Sequence, residues 1–91
     1  MVSKVNPEPR NIIHVINEML NIIPRDSLPE RNLADDLEQY RETLFNKAPE
    51  VLRSGECWLP AQNIMNYHYH KVNRELTMVL LNIFNNTNNN V

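Results

Sequence analysis

The chain has 91 residues, of which 42% are hydrophobic and 22% charged, and its nine Lys plus Arg against eleven Asp plus Glu give a formal charge of −2 with a sequence pI near 5.9. That length suits one small domain of ordinary globular composition, so disorder throughout is excluded, as is a protein that coats nucleic acid by bulk positive charge. The single cysteine, Cys57, excludes an intrachain disulfide, and the single glycine, Gly55, excludes a Gly-rich phosphate loop and argues against tight hairpins.

The segment Asn6-Pro7-Glu8-Pro9 carries helix-start signals: Asn6 as cap, both prolines in the first turn, and Glu8 at the positive dipole end. Ile12, Ile16, Met19, Leu20 and Ile23 follow at helical spacing, with Ile13, Val15 and Ile22 widening the face. Pro24 pushes Ile23 toward extended geometry, so the first helix is predicted over 7–23. Ser27-Leu28-Pro29-Glu30 is a capping box that opens a second helix over 28–47. Its core stripe is Leu33, Leu37, Tyr40 and Leu44, joined by Ala34, Phe45 and Ala48. Arg31 with Asp35, and Glu38 with Arg41, are spaced to pair across one turn.

Pro49 interrupts this pattern, leaving a short helical turn at 49–53 that Gly55 is expected to close in the left-handed conformation. Glu56 to Leu59 reads as a connector carrying the only tryptophan, Trp58. Pro60 suits a first helical position, and no further Pro or Gly interrupts the chain up to Phe84. Met65, Tyr69, Val72, Leu76, Val79 and Ile83 form a heptad-like seam along this third segment, predicted as one helix over 60–84, about 37 Å long. The alternation Tyr67-His68-Tyr69-His70 is too brief to make a strand. The fold expected is all-α: a small antiparallel three-helix bundle with a short extra helical turn and a long C-terminal helix. It forms a single domain over 1–84, followed by an Asn-rich polar tail over 85–91.

The residues that carry chemistry read mostly as structure. On a helix, His68 and His70 point roughly 160° apart, and the i, i+4 ligand spacing is missing, so no metal site is expected. Cys57 lacks the signature of an activated thiol and suits the core beside Trp58. The carboxylates Asp35, Asp36, Glu38 and Glu42 fall on the polar side of an amphipathic helix, where water keeps them ordinary acids and not catalysts. Between Asp26 and Glu50 seven acids face three bases, so Asp35, Glu38 and Glu42 are candidates for steering a basic partner. From Leu76 to Phe84 only Thr77 and Asn82 are polar, which leaves more apolar circumference than two short helices can cover. Met78, Leu81 and Phe84, outside the heptad seam, are the candidate contacts for a partner or a second copy.

The function expected is a non-enzymatic protein–protein interaction module (adaptor, regulator or inhibitor), self-associating as a homodimer through the long C-terminal helix and using no cofactor. The alternative is a small helical RNA- or DNA-binding protein that uses Tyr67, His70, Lys71 and Arg74, where aromatics alternate with cations. The first ten residues, MVSKVNPEPR, lack the apolar run of a signal peptide, and no stretch approaches the roughly 20 apolar residues needed to span a bilayer. The expectation is a soluble intracellular protein of cytoplasm or nucleus with no membrane partner. The Asn-rich, Gly-poor usage fits an AT-rich genome, viral ones included.

Overall fold

The computed structural model describes residues 10–85. Among these the architecture is all-α, with five helices in the order α1 (Ile12–Ile22), α2 (Leu28–Leu44), α3 (Pro49–Leu52), α4 (Gly55–His68) and α5 (Arg74–Asn85). The first two helices of the expected bundle are therefore present, together with the short helical turn that follows them. The third, long helix is replaced by two shorter ones joined by an elbow at 69–73.

Helix α1 starts later than 7 because Asn11 takes the cap: its backbone is extended and its side chain accepts the Ile13 N–H at 2.8 Å. Asn6, Pro7 and Pro9 lie outside the described residues. Ile12, Val15, Ile16 and Met19 turn inward as one stripe, and Ile23 closes the helix in extended geometry ahead of Pro24. Helix α2 opens at the Ser27 cap with Pro29 in its first turn and buries Leu33, Ala34, Leu37 and Leu44. It ends at Leu44, three residues before the expected 47, so Phe45 and Ala48 are exposed and not part of the core stripe. The expected pairings along α2 are also re-sorted. Glu38 binds Arg25 at 2.7 Å, Arg41 reaches Asn17 on α1 at 2.6 Å, and Arg31 donates to the Arg25 carbonyl.

Gly55 does not close the short turn in a left-handed conformation. Arg53 caps α3 in right-handed geometry, Ser54 becomes the cap of α4, and Gly55 is that helix's first residue. The presumed connector from Glu56 to Leu59 is thus helical, and Pro60 sits inside α4. The reason is a buried stripe, Cys57, Ala61, Met65 and His68, that runs straight past the proline. Pro60 forfeits one backbone bond, the one to the exposed Glu56 carbonyl, where water can substitute.

Three polar bonds tie α4 and the elbow to α2. The Tyr40 hydroxyl donates to the Cys57 carbonyl at 2.5 Å, His68 Nε2 donates to Asp36 Oδ2 at 2.6 Å, and the Asn73 N–H donates to Glu30 Oε2 at 2.8 Å. As α2 is followed backwards from Tyr40 to Glu30, the partners advance from Cys57 to Asn73, so the two segments run antiparallel. Helix α1 packs between α2 and α5, and Trp58 of α4 meets Phe84 of α5 edge to face with ring centroids 5.1 Å apart. The core is continuous across these contacts, with Leu33, Leu37, Met65 and Leu80 among its fully buried side chains.

The elbow has a specific cause. In an unbroken helix the Asn73 N–H would donate to the Tyr69 carbonyl; here it goes to the Glu30 carboxylate. The Tyr69 carbonyl takes the Thr77 hydroxyl instead, at 3.2 Å. Asn73 then caps α5, its side-chain oxygen accepting the Leu76 N–H at 3.1 Å. The change of direction re-phases α5. Thr77, Leu80 and Phe84 face inward, while Val79, a member of the expected seam, is 48% exposed. Among the described residues, no helix is long and apolar enough to cross a membrane. The expected polar tail from 85 lies outside the described residues except for Asn85, the last residue of α5.

Candidate interaction site at the elbow

The elbow opens a cleft of about 450 Å³ between the turn and α5. Its apolar lining comes from Tyr69, Val72, Met78 and Leu81, and its polar edge from His70, Arg74 and the Thr77 hydroxyl. Met78 is 63% exposed, one residue before the half-exposed Val79, and Leu81 is partly covered. Two of the three expected contact residues therefore sit at the surface and line the same depression. Phe84 does not: it is 8% exposed, packed on Trp58, and belongs to the core.

The aromatic and cationic residues of the elbow fall into two sets, Tyr67 with Lys71 and Tyr69 with His70 and Arg74. The Lys71 ammonium lies 4.5 Å from the Tyr67 ring centre, an exposed cation–π pair. His70 rests against Tyr69 with ring centres 4.5 Å apart, and Arg74 stands at the start of α5 on the same cleft. Tyr67, His70, Lys71 and Arg74 are all exposed. His68 touches this group only through Tyr67, whose ring it meets edge to face with centroids 4.9 Å apart. It turns inward, its Nδ1 buried with no partner, and its ring is held by Asp36. His70 points away from the core, so the two histidines do not form a pair. Among the described residues, no three His, Cys, Asp or Glu side chains are placed to share a metal ion.

The acidic steering candidates are split. Asp35 and Glu42 are exposed on α2, whereas Glu38 is half-covered and bound to Arg25. The carboxylates that organise the elbow are Glu30, which the sequence marks only as part of a helix start, and Asp36, which it marks only as a solvated acid. Glu30 is buried; Ser27 Oγ donates to one oxygen and the Asn73 amide to the other. These two donors hold its carboxyl below the usual carboxylate range, the Ser27 bond contributing most, against the opposing push of burial. The reciprocal bonds of the capping box therefore do not form: Ser27 makes no side-chain bond to the first-turn amides, and the Glu30 carboxylate takes the Ser27 hydroxyl and reaches across to the elbow amide of Asn73 instead of back to the cap amide. Its signal was present in Ser27-x-x-Glu30, but its partner is 43 residues away. Cys57 is buried, and Tyr40, whose hydroxyl bonds the Cys57 carbonyl, has its phenol pushed up to about 12, mainly by burial. The chain matches no protein-family model, and neither a characterised protein nor a solved structure is significantly similar to it.

Proposed function

We propose that the chain is a non-enzymatic protein–protein interaction module whose working surface is the outer side of α5 with the elbow cleft beside it. The observation that carries this reading is the exposure of Met78 and Val79 side by side on a helix whose opposite face already fills the core. Apolar area gathered at one place on so small a domain is more useful covered by a partner than left in water. Self-association is the simplest form of that covering, because a symmetric pair would bury the same patch on both copies. Light scattering should give a mass above one chain, and Met78→Asp with Val79→Asp should return it to one chain while helicity by circular dichroism persists. A wild type that is a single chain at high micromolar concentration, and whose α5 amide signals are unmoved by any protein partner, refutes the reading.

The alternative, RNA or DNA binding, draws on the exposed cluster of Tyr67, His70, Lys71 and Arg74 on an otherwise acidic chain. It requires salt-sensitive binding that Lys71→Glu or Arg74→Glu removes without unfolding the domain.

A further inference from the structure

We infer that the elbow cleft binds a short acidic segment of a partner protein, taking one of its apolar side chains against Val72, Met78 and Leu81 and its carboxylate on Arg74. This rests on the interaction-module reading and adds to it the chemistry of the partner. The cleft, at about 450 Å³, holds one or two large side chains, and its floor is apolar and aromatic. Its edge is cationic on a chain whose net charge is −2. Arg74 is exposed and makes no ion pair with any described residue, and Lys71 is held only by the Tyr67 ring.

The nearby carboxylates leave that charge unanswered. Glu75 follows Arg74 by one residue and so projects from a different side of α5. Glu30, behind the elbow, has both oxygens occupied by Ser27 and Asn73. Asp36 is bound to His68. A planar guanidinium free at the edge of an apolar cleft suits a carboxylate, which it can hold through two parallel bonds. The floor selects the class of macromolecule. Val72, Met78 and Leu81 offer aliphatic and thioether contacts for a side chain. The Tyr69 face, which a nucleobase would need for stacking, is already shared with His70.

The test is a selection of random displayed short peptides on the full chain, counter-selected on the Arg74→Glu variant, followed by anisotropy with the enriched peptide synthesised and labelled. Enriched sequences should place Asp or Glu beside Leu, Ile, Phe or Trp. Their binding should fall about tenfold or more in Arg74→Glu and in Leu81→Asp, and stay within about twofold in Gln62→Ala, an exposed position on α4 that does not line the cleft. Peptides that bind but depend on Val79 and not on Arg74 would keep the interaction module and overturn this site. Basic peptides, or none distinguishing wild type from Arg74→Glu, would also overturn it. A labelled oligouridine that binds with the same Arg74 dependence and displaces the peptide would reassign the cleft to nucleic acid. Should Arg74→Glu alone convert an oligomer to a single chain, the occupant is the acidic α2 of a second copy and not a foreign partner. Circular dichroism of each variant separates loss of the cleft from loss of the fold.

Discussion

The elbow hangs on Glu30, and removing that carboxylate is the sharpest test of why the C-terminal segment is two helices and not one. Glu30→Ala deletes the acceptor of the Asn73 N–H and of the Ser27 hydroxyl together. A hydrogen bond to a charged group contributes about 1.5–3 kcal/mol; two are lost here, and because Asn73 is exposed water takes up part of the loss, so about 2–3 kcal/mol is expected. For a domain of this size that lowers Tm by roughly 10–20 °C. Glu30→Gln keeps an oxygen for Asn73 but not the charge and should lose about 1 kcal/mol. The pH dependence has a definite sign. The folded carboxyl titrates below the ordinary 4.5, so its contribution is full above that value and fades as pH falls through the lower folded value. The stability gap between wild type and Glu30→Gln should therefore narrow on acidification below that ordinary value. Thermal melts by circular dichroism measure the loss, and hydrogen exchange at the Asn73 amide measures the local cause. A Glu30→Ala variant within about 0.5 kcal/mol of wild type, with the Asn73 amide equally protected, would show that the elbow is set by something else.

Tyr40→Phe removes the bond to the Cys57 carbonyl and should cost about 1 kcal/mol by urea titration. In the wild type one of the three tyrosines should ionise near 12 and not near 10 in an ultraviolet titration; because the folded value is raised, its contribution holds below about 10 and is lost as pH climbs through 12. Phe84→Ala opens a void against Trp58 and should cost about 3 kcal/mol with a red shift of tryptophan emission, whereas a residue serving only a partner would leave both unchanged. Gly55→Ala should stabilise by about 0.5–1 kcal/mol, since Gly55 is helical and an added Cβ would meet nothing within 4 Å; destabilisation would mean that the position is not helical in solution.

The helical character of the chain was legible because its signals are local. The stripe of Ile12, Ile16 and Met19, the Ser27 and Pro29 start of α2, and the single turn after Pro49 each depend on residues within one or two turns of one another. What the pattern missed is of longer range. Nothing in 60–84 resembles a breaker, and the competitor for the Asn73 amide is a carboxylate 43 residues earlier, which periodicity cannot register. Pro60 misled in the opposite direction: a proline marks a helix start only when the residues before it have no apolar stripe to bury, and Cys57 does. Around the candidate site, the sequence could place Met78 and Leu81 outside the fully buried core because excess apolar circumference is a property of composition. Phe84 was misassigned because which side of a helix faces inward depends on phase, and the elbow reset that phase.

The same break that shortens the last helix also makes the cleft. On one continuous rod Met78 and Leu81 would lie on a convex surface, reachable only by a flat partner, and His70 would be about two turns from Met78 and three from Leu81. Turning the chain at 69–73 folds the end of one segment back toward the start of the next, so that Tyr69, Val72 and His70 confront Met78 and Leu81 across a depression. The carboxylate that costs the chain a straight helix is therefore what converts an exposed stripe into a concave site with a cation at its edge. Stability and recognition are coupled through Glu30. A variant that straightens the elbow should lose the cleft even with every lining residue unchanged.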